Sequence, residues 1–341
     1  MASAPLIGLD IGSSSICAAE TVRGKDGAAI TNFGEIPLPP GAVAGGVVHD
    51  DKAVTAALKQ LWAASRFRGR EVVFGVTNPQ VVVREMTLLN LPDRELRKSL
   101  PFQVQDVLPL PVERTLLDFQ RLADPGQNET VRGLLIAAPK DAVLTAVRAI
   151  ERAGLHVARV DLASFALLRA VSRLDTQVEA LIDIGSRLTT VVVHNDGEPL
   201  IVRTIPRGGA EITELIASRL GATLGEAESL KCRVGLRADE GPETAEVVRE
   251  AIRPLVSEIR SSFAYLTSGG RQSRVSRLVL SGGGASLPGL ADTLGAQLEV
   301  VVVLADPVAR LRDQRRRGKH NNLEQLRSSA AVSIGLTLGA T

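Results

Sequence analysis

Hydrophobic and polar positions follow two periods along the chain, and the first stretch follows the shorter one. LIGLDI (6–11), SICAAETV (15–22) and AAITNFGEIPL (28–38) are apolar runs separated by GSSS and by GKDGA at 24–28. Short apolar runs bounded by Gly and Ser predict strands, so the first forty or so residues form a hairpin meander. HDDKAVTAALKQLWAASR (49–66) changes period: Val54, Ala57, Leu58, Leu61 and Trp62 share one helical face behind Asp50 and Asp51. EVVFGVT (71–77) is a further apolar strand.

From about 79 to 157 the texture changes. VVVREMTL (81–88) alternates as an exposed strand does, and LPDRELRKSLPFQVQDVLPLP (91–111) predicts a helix capped by Asp93 that tolerates Pro101. RTLLDFQRLA (114–123) and VRGLLIAAP (131–139) are strands around the loop DPGQNET, and KDAVLTAVRAIERAGL (140–155) is a helix closed by Gly154. The order strand, helix, strand, strand, helix predicts a small open-faced α+β insertion over 80–158.

At 178 the opening pattern restarts. EALIDIG, LTTVVVHND and EPLIVRTIP are strands; GGAEITELIASRLG (208–221) and TLGEAESLKCRVGL (223–236) are helices. A long helix over 242–268 contains Pro254, where a kink or a break is expected. Strand, glycine turn and helix follow in VSRLVLSGGGASLPGLADTLGAQL (275–298), then the strand EVVVVLAD and the closing helix LRSSAAVSIGLTLG (326–339). A meander followed by αβ elements, present twice, is an internal duplication, and 341 residues exceed one ordinary compact core.

Bulk charge narrows the function. The 40 basic and 38 acidic side chains nearly cancel, so nothing in the overall charge favours nucleic acid or an anionic membrane. Cys17 and Cys232 fit neither a disulfide framework nor a metal spacing; both are expected as small buried residues of a cytoplasmic protein. Residues 1–5, MASAP, lack the features of a signal peptide. No transmembrane helix is predicted, so work at a membrane would require another chain to hold the protein there.

Chemistry concentrates in the turns. In DIGSSSI, exposed N–H groups and the hydroxyls of Ser13, Ser14 and Ser15 can surround a phosphate, and Asp10 at the strand tip then calls for Mg²⁺ held through water. One such turn is as readily a plain polar hairpin. The second copy, DIGSRLTT, repeats the carboxylate at Asp183 and the glycine at Gly185, with Thr189 and Thr190 behind, and together they make a two-sided phosphate clamp. In LVLSGGGASLPGL (278–290), Gly282, Gly283 and Gly284 let backbone approach a flat ligand, without the spacing of a P-loop or a dinucleotide fingerprint. Glu228 and Lys231, three apart on one helix, read equally as a surface ion pair.

In order and spacing these turns resemble the actin-like ATPase superfamily, over residues 6 to 340. DIGSSSI and DIGSRLTT resemble its two phosphate loops, VLSGGGASLPGL its adenosine loop and AAVSIGLTLGA its last connecting helix. Within it, REMTLLNLPDRELRKSLPFQVQDVLPLPVERTLLDFQRL, LLIAAPKDAVLTAVRAIERAGLHVARVDL and IPRGGAEITELIA resemble the PilM family of type IV pilus assembly proteins, itself similar to FtsA. The resemblance implies a duplicated actin-like, ribonuclease H-like α/β fold, with two lobes around a nucleotide cleft. The first lobe (1A) would take 1–79 and 159–177, an FtsA-like 1C subdomain 80–158, and the second lobe 178–341, with the last helix, about 328–340, returning to the first. It further implies ATP and Mg²⁺, held by Asp10, Gly12, Ser13 and Ser14 on one side and Asp183, Gly185, Thr189 and Thr190 on the other. Gly208 and Gly209 would lie near ribose and phosphates, Glu228 and Lys231 beside the adenosine, and Gly282, Gly283 and Gly284 beneath it.

Two departures from the family pattern stand out. Cys17 occupies the place of a lysine, and Ala163, in Asp161-Leu162-Ala163-Ser164, the place of the acidic residue that orients water. Nucleotide binding with slow or absent hydrolysis is therefore expected, unless Asp161 substitutes. The implied partner is the cytoplasmic tail of PilN, a membrane protein, in a groove to which Arg84, Phe102 and Val104 are the candidate contributors. Arg310, Arg312, Arg315, Arg316, Arg317 and Lys319 form a basic stretch that reads as a solvated loop or as a contact for acidic headgroups or a partner. The alternative is an FtsA-like filament-forming protein, disfavoured by the ending SIGLTLGAT, which has no basic amphipathic character. A sugar kinase would need a base and a substrate pocket, and a chaperone a further domain.

Overall fold

The computed structural model describes residues 6–24, 27–122, 129–175, 177–268, 274–309, 311–313 and 329–339. The meander forms as its apolar runs require: β1 (Leu6–Ile11), β2 (Ser15–Gly24) and β3 (Gly27–Pro37) pair antiparallel, with Asp10 opposite Cys17 and Cys17 opposite Glu35. A two-residue-strand hairpin, β4 (Val43–Ala44) and β5 (Val47–Val48), leads to α1 (Asp51–Ser65), capped by the Asp50 carboxylate, which accepts from the Ala53 N–H at 2.9 Å. β6 (Glu71–Val76) then runs parallel to β1.

The insertion is a three-stranded sheet with one helix on it. Its strands are β7 (Val82–Leu89), β8 (Thr115–Arg121) and β9 (Thr130–Pro139), in the order β7-β9-β8, and α2 (Asp93–Val104) covers it. Leu96, Leu100 and Val104 of α2 pack with Leu88 and Leu135 in a cluster of their own. Asp93 does not cap this helix. The N-cap is Pro92, and Asp93 is instead the first helical residue, its carboxylate accepting from Arg121 Nη2 at 3.2 Å. The ring of Pro92 presets the entry geometry, and a carboxylate one residue later still favours the helix dipole. Pro101 is accommodated inside the helix.

α3 (Lys140–Arg152), within the segment 80–158, turns its apolar face elsewhere. Val143, Ala146, Ala149 and Ile150 share a core with Val54, Leu58 and Leu61 of α1 and with Ile7 and Leu9 of β1. β10 (His156–Leu162) adds beside β6, and α4 (Ala163–Val171) leaves the sheet.

The second half repeats the plan. β11 (Val178–Ile184), β12 (Thr189–Asn195) and β13 (Glu198–Ile205) form the meander; α5 (Gly209–Leu220), α6 (Leu224–Val234) and α7 (Pro242–Ser268) follow. α7 runs through Pro254 without a break, with Ile252, Leu255 and Val256 buried beside it. β14 (Arg277–Ser281), α8 (Leu290–Leu298) and β15 (Val301–Leu304) complete the sheet β13-β12-β11-β14-β15. Arg312–Asp313 (β16) adds to β3, and α9 (Ala331–Leu338) closes the described chain.

Each sheet buries one face under its own helices and turns the other toward α4 and α9. Leu167 and Leu168 of α4 pack on Leu181, Val192 and Val279 of the second sheet. Ala163 and Ala166 meet Val73, Val332 and Leu336, while Ile334 packs on Cys17 and Ala19 of the first sheet. Two glycines make this possible: a Cβ on Gly8 would lie 1.9 Å from the Ser333 carbonyl oxygen, and one on Gly335 1.8 Å from that of Ala166. Cys17 is buried as expected, but Cys232 is exposed, because α6 buries only Ala227 and Val234. No helix among the described residues is long and apolar enough to cross a membrane.

At the start of the second sheet a fully buried carboxylate, Glu179, joins three strands. It accepts from Arg277 Nε at 2.6 Å, the Arg173 N–H at 2.9 Å and His194 Nε2 at 3.0 Å. The Gly197 N–H donates to His194 Nδ1, which fixes a neutral ring with its proton on Nε2. Burial alone pushes the Glu179 carboxyl up, but the hydrogen bonds from His194, Arg173 and Arg277 outweigh it and hold it below its ordinary value of 4.5. This contribution to stability is present above pH 4.5 and is lost as pH falls through the lower folded value. Glu179→Ala, which leaves Arg277 paired with Asp175 alone and takes the acceptor from His194 and the Arg173 N–H, is expected to cost about 1–3 kcal/mol in chemical denaturation at neutral pH, with a shallower loss of stability on the acid side than in the wild type.

Candidate functional site

The two Asp-containing turns fold alike. The Gly12 N–H donates to the Ser15 carbonyl and the Gly185 N–H to the Leu188 carbonyl, both at 2.9 Å. Each hairpin keeps one register: Asp10 faces Cys17 as Asp183 faces Thr190. Ser13 and Ser14 thus stand at one tip, Ser186 and Arg187 at the other.

Cross-strand partners leave a sheet on the same side, which sorts the predicted residues. Asp10 and Asp183 lie on the sheet faces turned toward α4 and α9, at the ends of β1 and β11. Thr190, 6% exposed, shares the face of Asp183. Thr189 is opposite Ile184 on the other face, fully buried, and its hydroxyl donates to the Arg207 carbonyl at 2.8 Å. That bond makes Thr189 a support of the loop.

The charge of Asp183 bears on Asp10. Burial, then the charge of Asp183, then that of Glu35 push Asp10 up to about 7. Burial also raises Asp183, and the Ser281 hydroxyl beside it pulls the other way; that buried hydroxyl has no hydrogen-bond partner among the described residues. Two half-buried carboxylates at the inner ends of β1 and β11, with an unsatisfied hydroxyl beside Asp183, fit a divalent cation held between them.

The second hairpin is held from behind. The Gly209 N–H donates to the Gly185 carbonyl at 2.9 Å and the Ala210 N–H to that of Ser186 at 2.8 Å. A Cβ on Gly208 would lie 2.4 Å from the Gly185 oxygen, so only glycine permits this docking of α5. The glycines of the third loop divide by role. Gly282, at φ +82°, and Gly284 would each drive a Cβ into Ile184, whereas Gly283 faces open space. Two of the three seat the loop on the second hairpin, and Gly283 has room for a ligand.

Glu228 and Lys231 are more than a surface pair. Lys231 Nζ, on a side chain 13% exposed, donates to Glu228 Oε2 at 2.7 Å, Thr213 Oγ1 at 2.9 Å and the Gly209 carbonyl at 3.2 Å. Thr213 also donates to Glu228 at 2.6 Å, tying α6 to α5 beside the clamp.

Ala163 is buried at the start of α4, packed on Val73, Val332 and Leu336. Asp161 is engaged: it accepts from the Leu162 N–H at 2.7 Å and pairs with Arg169, which also donates to the Gly335 carbonyl at 3.1 Å. Asp161 thus stabilises the junction of α4 and α9. Glu35 lies beside the clamp with no motif to mark it. Its only sequence signal is a strand position that the meander register places opposite Cys17.

On the insertion, Arg84 is exposed on β7 and Phe102 is 78% exposed on α2. Val104 is not available to a partner, being fully buried under α2 against Leu88 and Leu135. A cavity of about 220 Å³ lies between α2 and β8, lined by Asp93, Leu96, Arg97, Leu100, Phe119 and Arg121. Of the basic stretch 310–319, only 311–313 fall within the described residues.

An unfolded Asp titrates near 3.8 and folded Asp10 near 7, so the folded state holds an extra proton between these values. Without a divalent cation, stability is expected to fall as pH rises across this window. Asp10→Asn should flatten that slope; thermal unfolding in chelator from pH 5 to 8 checks it.

Comparison with known proteins places this geometry. The family profile for type IV pilus assembly protein PilM matches residues 8–341. The structure called PilM-PilN type IV pilus biogenesis complex superimposes with a TM-score of 0.86 at 27% identity, over 98% of this chain and 97% of that one. MreB5 of Spiroplasma citri bound to ADP shares the fold, with a TM-score of 0.52 at 14% identity, over 89% of this chain and 92% of its own. The cell division protein FtsA of Bacillus subtilis (strain 168) is 26% identical over 345 residues, 88% of this chain and 78% of FtsA. The fold is the actin-like α/β fold that the repeated hairpins imply, and the chain belongs to the PilM family of type IV pilus assembly proteins.

Proposed function

We propose that this protein is an ATP-binding scaffold of type IV pilus, or related secretion, assembly. In this reading it is cytoplasmic and is recruited to the inner face of the plasma membrane by the N-terminal tail of a PilN-like protein. The observation that carries the nucleotide part is the pair of like hairpins, each with its carboxylate, Asp10 or Asp183, at the inner end of the strand before a glycine turn. Asp10 and Asp183 would hold Mg²⁺ through water, and Gly12, Ser13, Ser14 and Gly185 would receive the phosphates. Mg²⁺ supplies charge neutralisation between the phosphates and the two carboxylates. Lys231 and Glu228 would flank the adenosine, with Gly283 under it.

Hydrolysis is slow or absent on this reading. Ala163 has no group to orient water, and Asp161 is committed to Arg169. Loss of a positioned base forfeits about 10²- to 10⁴-fold in rate. Nucleotide then acts by shifting conformers of the two lobes. For the partner, the exposed Phe102 and the cavity between α2 and β8 offer an apolar anchor with a charged rim. The alternative, an FtsA-like filament, rests on the more distant FtsA likeness.

Titration with a fluorescent ATP analogue in Mg²⁺, alongside phosphate release, tests this. Wild type should bind, Asp10→Ala should bind at least about tenfold more weakly, and turnover should stay below about one per second. A synthetic PilN-like tail should bind wild type and lose affinity for Phe102→Glu. No nucleotide binding, or fast turnover, contradicts the proposal.

A further inference from the structure

The sheets of the two halves and of the insertion end in edge strands, and an edge offers N–H and C=O groups to any strand that meets it. Most of these edges are blunted. In the first half, β16 is two residues long. β10 carries a bulge between Val157 and Arg159, and the exposed Arg159 donates to the Gly339 carbonyl at 2.9 Å. In the insertion, β8 turns Asp118 and Gln120 to solvent, and β7 lies against β13 of the second half. Arg132 of β9 joins these last two, pairing with Glu85 at 2.8 Å and with Glu198.

β15 is built differently. Val301–Leu304 is an uncharged run that pairs, among the described residues, with β14 alone. Val301 is 66% exposed and Leu304 62%. The two lie on opposite faces, because side chains alternate along a strand. Val302, on the face of Leu304, packs in the core of Leu290 and Leu294 of α8, and Val303, on the face of Val301, packs in that of Leu167 and Leu168 of α4. The Ala305 N–H donates to the Leu280 carbonyl at 2.7 Å, and in a parallel ladder alternate residues bond to one neighbour. Val301, Val303 and Ala305 therefore bond inward to β14, and Val302 and Leu304 point their N–H and C=O groups away from the sheet.

This edge is complementary to itself. Two copies related by a two-fold axis pair antiparallel with Val303 opposite Val303 of the second copy. Val302 then faces Leu304 of the second copy, and the reverse, so the outward groups exchange about four main-chain hydrogen bonds. Val301 meets Ala305 of the second copy and Glu299 meets Pro307, so no like charges stand opposite. The seam is small: two exposed apolar side chains per copy and a short ladder bury well under the roughly 1,200 Å² of an ordinary stable complex. Association through it is weak and concentration-dependent.

We propose that β15 is a self-association edge, through which two copies join their second sheets into one continuous sheet of a two-fold dimer. β13, the strand beside the insertion, is the other edge of that sheet, so the seam lies away from the insertion.

Sedimentation equilibrium of the full chain tests this. Wild type should be a monomer at about 1 µM and largely a dimer at several hundred micromolar, the range of a seam this small. Leu304→Lys alters an exposed side chain, so it should keep the wild-type melting temperature and associate at least about tenfold more weakly. A second arm reads the register. In a Cys232→Ser background, Val303→Cys should form an intermolecular disulfide under mild oxidation, its Cα atoms facing at about 4.5 Å. Val301→Cys, about 14 Å from its counterpart, should not. A wild type that stays monomeric throughout, as it would if β15 takes up a strand of another protein, overturns the inference. So does undiminished association of Leu304→Lys, or cross-linking of Val301→Cys as readily as of Val303→Cys.

Discussion

The backbones of β1, α9 and α4 stack so closely that side chains are excluded at two points. Gly8 lies against the Ser333 carbonyl, and Gly335 against that of Ala166. These contacts bring the first sheet, α9 and α4 together, and α4 in turn packs on Leu181, Val192 and Val279 of the second sheet. The helix pair thereby sets how far apart the sheets lie. Because Asp10 and Asp183 end strands on the inner faces, that spacing decides whether they feel each other. A side chain at either glycine would wedge the layer apart and weaken the clamp without touching it.

With that spacing, electrostatics shape the cleft. Like charges brought together away from water are costly unless a cation joins them, and among the described residues no arginine or lysine pairs with Asp10 or Asp183. The fold spends its cations on structure instead: Arg169 on the α4–α9 junction, Arg277 on buried Glu179, Lys231 on the α5–α6 seam. The same economy accounts for weak hydrolysis in the proposed function. Ala163 packs in the layer, and Asp161, two residues before it, is tied to Arg169.

The repeated hairpins were legible because an Asp-x-Gly turn has a narrow set of uses and occurs twice in register. The helices were legible from their apolar spacing, as in Val54, Ala57, Leu58 and Leu61. What remained hidden depended on faces and neighbours. Thr189 and Thr190 are adjacent in sequence, yet strand alternation puts only Thr190 beside Asp183. Gly282, Gly283 and Gly284 look equivalent until Ile184 is seen to fill the space beside two of them. Val104 carries no mark distinguishing a core residue from a groove residue; the sheet under α2 decides it. Asp93 looks like a cap, but Pro92 already holds that position. Glu35 belongs to the site solely through β2–β3 register.

The central claim is that two hairpins from separate halves of the chain close on one ligand. Hydrogen exchange followed by mass spectrometry, with and without Mg²⁺ and a non-hydrolysable ATP analogue, tests it most directly. Slowed exchange in residues 10–16 and 183–189 together, at the same ligand concentration, is the predicted result. Protection of one hairpin alone, or of neither, contradicts a two-sided clamp.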